Sequence, residues 1–158
     1  MAQVRYTEAT TLTSRVTSEL NSLASGGGPA LVSTALSNDA STERATFTNV
    51  TVVLAAQAGA RTAGDSVSLL VVPAGVADPY SGVAAASAIA ANYIARDRTG
   101  TAVTWTLDPA TTARELTWAN VQLPNSDYKV GLINNTTQNL ASSGNAIYTS
   151  GSFSETYI

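Results

Sequence analysis

From Pro29 onward the apolar residues come in short runs that alternate with polar ones, and clusters of Gly, Pro, Asn, Asp and Ser separate the runs. A period of two marks a strand with one buried face, because successive side chains point to opposite sides of the pleat. Val103-Thr104-Trp105-Thr106-Leu107 alternates strictly, and Tyr128, Val130 and Leu132 do so against Lys129 and Gly131. Val67, Leu69 and Val71 share one face while Leu70 and Val72 load the other, which predicts a strand contacted on both sides. Strands are expected near residues 31–37, 45–56, 66–73, 90–96, 102–108, 114–122, 127–134 and 145–153.

Two runs change parity midway, from Phe47 to Val50, Val52 and Leu54, and from Leu116 and Trp118 to Val121 and Leu123. A regular strand would then expose half its apolar set, so each run predicts a bulge. Arg98-Thr99-Gly100-Thr101 and Pro124-Asn125-Ser126-Asp127 read as hairpin turns, and antiparallel neighbours are expected on either side of each. Residues 74–89 suit an Ala-rich helical turn or an ordered crossover loop. Many short strands without alternating helices predict an all-β antiparallel β-sandwich, jelly-roll or Greek-key-like in order.

Ahead of Pro29 the period changes. Ala9, Leu12, Val16, Leu20 and Leu23 recur every three or four residues, which predicts an amphipathic helix over 9–24. Thr7 or Thr10 would cap it, Arg15 and Glu19 would pair along it, and Ser25-Gly26-Gly27-Gly28-Pro29 would stop it. Its many Thr and Ser residues are poor helix formers, so a helix this short must lean its stripe on its own sheet or on a neighbouring subunit. Residues 1–28 are therefore expected to form an N-terminal arm with a glycine linker, and residues 29–158 a β-sandwich domain.

The 158 residues include no histidine and no cysteine, and 12% are charged. The commonest acid-base, thiol and transition-metal designs are thereby removed. The net charge is −3, and Arg96 and Arg98 are interrupted by Asp97, so no basic cluster offers a phosphate backbone its counter-charge, and direct nucleic-acid binding is not expected. The opening residues lack an apolar leader, and no apolar run approaches membrane-spanning length, so the expectation is a protein made in a cytosol with no membrane partner.

Carboxylates are the main acid-base groups left. Asp108 and Glu115 lie near Trp105 and Trp118 in sequence and would suit a glycosidase-like pair, but Asp108-Pro109 also opens a turn and Glu115 also reads as an exposed strand residue. Asp39, Asp65, Asp78 and Asp97 fall in loops without the close oxygen-ligand spacing of a calcium site. Gly26-Gly27-Gly28 lacks the Lys-Ser/Thr of a phosphate loop, and Lys129, the sole lysine, stands in no nucleophile motif. No catalytic, cofactor-binding or metal-binding residue is assigned. Trp105 and Trp118 are read as core, with a sugar-stacking platform as the other option. Contact with partners is expected from the arm stripe Leu12, Val16, Leu20 and Leu23, and from an unusually aromatic C-terminal stretch of Tyr148, Phe153, Tyr157 and Ile158.

The pattern runs from Ser18-Glu19-Leu20-Asn21-Ser22-Leu23-Ala24 and its Gly linker, through Ser68-Leu69-Leu70-Val71-Val72-Pro73, to Val121-Gln122-Leu123-Pro124 and Tyr128-Lys129-Val130-Gly131-Leu132. In this it resembles the small β-sandwich decoration (cement) proteins of tailed-bacteriophage virions. The resemblance implies a non-enzymatic capsid decoration protein of the virion, homo-oligomeric, that binds and stabilises the lattice of the major capsid protein or another virion protein. A tail or tail-fibre structural protein, or a carbohydrate-binding β-sandwich module using Trp105 and Trp118, are the alternatives.

Overall fold

A computed structural model describes residues 4–8, 13–16, 18–26, 28–31, 36–38, 43–73 and 93–157. Among them nine strands follow in order: β1 (Val4–Glu8), β2 (Thr13–Val16), β3 (Gly28–Leu31), β4 (Glu43–Leu54), β5 (Ser66–Pro73), β6 (Thr104–Thr106), β7 (Arg114–Gln122), β8 (Tyr128–Asn135) and β9 (Ala146–Tyr157). They build two antiparallel sheets, one ordered β1-β9-β4-β7 with β2 also on β9, the other β3-β8-β5-β6. The chain is an all-β domain. Its pairing nests: β1 and β2 pair with β9, β3 with β8, β4 with β7, and β5 with β6. The pairs β4–β9 and β5–β8 then join these into sheets.

One buried cluster draws on both sheets. Val16, Val50, Val52, Leu54, Val121 and Ile147 come from the first, and Val67, Leu69, Trp105, Val130 and Leu132 from the second. Each such aliphatic side chain stabilises the fold by about 1.5–3 kcal/mol through burial. The two-sided apolarity of β5 is also real, since Leu70 and Ile133 form a second cluster that Tyr93 and Ile94 cover.

The parity change in the β7 run is a bulge, whereas in β4 the buried Thr48, Val50, Val52 and Leu54 keep one parity, so the change expected between Phe47 and Val50 does not occur. Thr48 faces Val121 but Val50 faces Trp118, so β7 carries an extra residue where Asn120 takes φ +56°. Asn tolerates that left-handed conformation better than most residues, and its N–H donates to Asn49 Oδ1 at 3.1 Å. β4 also slips against β9 on both sides of Phe47.

Several expectations are corrected. The helix over 9–24 is absent where the residues are described: Thr13–Val16 is strand β2, and residues 18–22 form a turn with bonds from Asn21 N to Ser18 O and from Leu23 N to Leu20 O. Thr and Ser gain little from a helix, whereas an extended segment completes the edge of β9, and strand plus turn still deliver Val16 and Leu20 to the core. Residues 9–12 and 17 lie outside the described residues. The Pro124–Asp127 link joins β7 to β8, which belong to different sheets, so it is a crossover and not a hairpin. Asn38 fixes it by donating to Pro124 O at 2.6 Å. No strand runs through 93–96, where Ile94 and Arg96 make isolated bridges to Leu70 and Ala102. Near 31–37 the described strand is Gly28–Leu31, which begins earlier than expected, and Leu36 makes an isolated bridge to Tyr128. Residues 74–89, 32–35 and 90–92 fall outside the described set.

Candidate functional site

The Asp108–Glu115 pair does not assemble. Arg114 and Glu115 are adjacent on β7, so their side chains leave opposite faces, and Asp108 is committed to the Arg114 face. Arg114 Nε donates to Asp108 Oδ1 at 2.8 Å, and its Nη2 closes a second bond to Oδ2. Those bonds, ahead of the plain charge attraction, hold the Asp108 carboxyl below the usual carboxylate range and the Arg114 guanidinium above its own. Glu115 pairs across the sheet with Val53 and is exposed.

The loop carboxylates are occupied by the backbone. Asp97 accepts from Thr99 Oγ1 at 2.6 Å, Thr99 N at 2.8 Å and Thr101 N at 3.0 Å, closing the turn in which Gly100 takes φ +84°. The Thr99 hydroxyl is the main cause of its lowered pKa. Asp65 is buried, which pushes its pKa up, but Thr62 N, Thr137 N and Thr137 Oγ1 all donate to Oδ2 and, with the charge of Arg61, bring it below the ordinary value. A carboxylate so held is a weak general base, so the Asp65–Thr137 contact is a loop clasp and not an activated hydroxyl. Asp39 and Asp78 lie outside the described residues. Among the described residues no group of acidic side chains is arranged to hold a metal, and no helix is long and apolar enough to cross a membrane.

Trp105 and Trp118 meet across the two sheets with ring centroids 5.8 Å apart and planes 81° from parallel. Edge-to-face rings suit a core contact and do not make the flat platform on which a sugar ring stacks. Trp105 is buried, and Trp118, half-buried, donates Nε1–H to Asp97 Oδ2 at 3.3 Å.

The arm stripe is used at home. Val16 and Leu20 are fully buried in the shared core, Leu23 packs on it, and Leu12 lies outside the described residues. Tyr148 is half-buried on the outer face of the first sheet between Thr51 and Ser14. Phe153 and Tyr157 are in β9, bonded through their backbone to β1 and, for Phe153, to β4, and Ile158 lies outside the described residues.

The alternating pattern gave no sign of the buried polar groups that hold the loops. Asn134, with no exposed surface, shares its amide N–H groups among Leu23 O, Ala24 O and Gln138 O, and its Oδ1 accepts from Thr136 N and Oγ1. Asn145 ties Ala55, Asn21 and Ala141 in the same manner. Arg61 donates to Gln57 Oε1, Thr112 O and Asp108 O, and burial lowers its pKa against the pull of Asp108, 3.9 Å away. Nothing local distinguishes these residues from loop formers, because their partners are distant in sequence. Beside them a cleft of about 560 Å³ is lined by Ser22, Gly59, Gln138, Asn139 and Ser142, all neutral. No family model, no curated protein and no solved structure matches this chain.

Proposed function

We propose that this chain is a non-enzymatic structural protein of a virus particle, a decoration protein that binds and stabilises the major capsid protein lattice through surface area. The observation that carries the reading is the state of four ionisable groups among the described loops. Asp65, Asp97 and Asp108 spend their oxygens on loop N–H groups, hydroxyls and Arg114, and Arg61 is spent on loop carbonyls. A group already saturated by structural bonds is poorly placed to move a proton.

In the same reading the two sheets close on one another as a jelly-roll sandwich. The nested pairing supports this: a single long hairpin with its tip at the β5–β6 link, when rolled, brings β4 beside β9 and β5 beside β8. Jelly rolls recur in viral capsid proteins, lectins and cupins, so the order narrows the role without fixing it. A surface of Ser, Thr and Asn side chains, such as Ser14, Asn49 and Thr117 on the outer face of the first sheet, can form many short hydrogen bonds without desolvating charge.

The test is to purify particles from the culture that makes this protein and locate it by electron cryomicroscopy. Density for the chain on the outer capsid surface is the expected result. Density on the tail moves it to the alternative virion role, and absence from particles while the protein is present in the lysate overturns the reading.

A further inference from the structure

We propose that the cleft beside the 137–142 loop is a binding site for a short neutral glycan, held by the side chains of Gln138, Asn139, Ser22 and Ser142. The proposal does not rest on the virion reading, because it concerns what the free protein binds.

The loop is fastened from the inside. Gln138 O accepts from Asn134 Nδ2 at 2.9 Å and from Thr136 Oγ1 at 2.6 Å, Asn139 O from Gln57 Nε2 at 3.0 Å, and Ala141 O from Asn145 Nδ2 at 2.7 Å. Asn134, Thr136, Gln57 and Asn145 are all buried, so these loop carbonyls are turned toward the protein and fixed there. Ser22 N, from the turn after β2, also donates to Ala141 O at 2.9 Å. A backbone held in this way sets its side chains in place before a ligand arrives, which lowers the ordering cost of binding.

Those side chains line a cleft of about 560 Å³, within the range of about 300–1,000 Å³ usual for small-ligand sites. They also keep bonding capacity. Among the described residues, nothing bonds to either end of the Gln138 carboxamide, to Asn139 Nδ2 or to the hydroxyls of Ser22 and Ser142, and Asn139 spends only its Oδ1, on Ser25 N. The Thr137 hydroxyl, by contrast, is engaged by Asp65 and Thr62. The Gln138 carboxamide is placed by shape: it lies over Gly59, where a methyl group would come 2.5 Å from Oε1 and 2.9 Å from Cδ. Gly59 is not among the glycines with positive φ, so its use here is the room it leaves for that carboxamide.

The lining selects the ligand. No charged side chain lines the cleft, so a phosphate, carboxylate or ammonium group would lose hydration without gaining a counter-charge. An extended peptide needs a row of free backbone groups, and Gln138 O, Asn139 O and Ala141 O are already taken. A sugar ring offers hydroxyls that each donate and accept, which suits a carboxamide set among hydroxyls, and its C–H face suits Ala56, Ala58 and Ala141 on the same lining. Without an aromatic platform to stack on, the expected dissociation constant is about 1 mM.

The test is a titration of the nitrogen-labelled full chain, followed by amide NMR, with maltose, lactose, cellobiose and diacetylchitobiose, each taken to about 50 mM. At least one of these sugars should move the side-chain amide signals of Gln138 and Asn139 along a saturable curve, and glucuronic acid should not. Gly59→Ala, whose methyl displaces only the tip of a flexible side chain, should keep the signals of the sheets and weaken that binding about tenfold. Gln138→Ala, which leaves the backbone bonds of residue 138 in place, should do the same and replaces Gly59→Ala if that variant fails to fold. The proposal is overturned by no saturable shift with any of these sugars, by shifts centred on the Trp105 and Trp118 indoles, or by equal binding of glucuronic acid. Tighter binding of a neutral peptide, acetyl-trialanine amide, or unchanged affinity in both variants overturns it as well.

Discussion

The β5–β8 pair and the loops beside it are built from opposite materials. In the strands, Val67, Leu69, Leu70, Val130, Leu132 and Ile133 are buried with apolar neighbours on both faces of the sheet. At the end of β8 and in the loops beyond the strands, Asn134, Gln57, Arg61, Asp65, Thr136 and Asn145 are buried too, and polar atoms satisfy one another there. Apolar burial is non-directional and sums over area, so it fixes that the sheets meet. Hydrogen bonds are directional and costly when one partner is missing, so they fix where the loops lie.

The contrast is broken most severely from the apolar side. Leu132→Ala, at a fully buried position of β8, is expected to lower the unfolding free energy by about 4 kcal/mol, because the rigid sheet collapses little around the cavity. Chemical denaturation should show one cooperative transition at a lower midpoint. A loss under about 1 kcal/mol would mean that the two sheets do not share a packed core.

Asn134→Ala tests the polar side. Removing an amide that serves three carbonyls, a backbone N–H and a hydroxyl should cost about 3 kcal/mol. The distinguishing readout is local. Amide exchange should quicken first at Ser22, Gly26 and Leu140, whose bonds join the 21–26 segment to the 136–141 loop, while the amides of β5 keep their protection. Uniform quickening across β5 would erase the distinction between the two regions.

The same division decides what can be read from the sequence. Strands 66–73 and 114–122 are found at the expected bounds, because apolar runs of strand length, two-sided in the first and alternating in the second, are local patterns bounded by turn residues. The bulge in β7 is legible for the same reason, through the change of parity between Trp118 and Val121. The N-terminal segment misleads because Val16, Leu20 and Leu23 have helical spacing although a strand and a turn carry them, and what selects the extended form is the open edge of β9, far away in sequence. The Pro124–Asp127 crossover is illegible likewise: the residues say that the chain turns, and only Asn38 and the sheet order say toward which sheet. Of the site candidates, the sequence supplies the carboxylates and tryptophans but not the bonds that neutralise them.

Asp65 gives the finest test, since it adds charge to the polar side. Asp65→Asn keeps an acceptor near Thr62 and Thr137 but loses the charge-assisted part of those bonds, which should cost about 1 kcal/mol at pH 7. The folded-state pKa of Asp65 lies below its unfolded value, so its contribution is complete above the ordinary carboxylate pKa of about 3.9 and disappears as pH falls through the lower, folded value. The gap in urea midpoint between wild type and Asp65→Asn should therefore be constant from pH 7 to about pH 5 and narrow as pH falls below the ordinary carboxylate value. Asp97 and Asp108, also lowered, make both proteins less stable in acid, but they are common to the pair and cancel from the difference. A gap that widens on acidification would mean that Asp65 is stabilised in its protonated form, and that the loop end is held by neutral contacts, as the β5–β8 pair is.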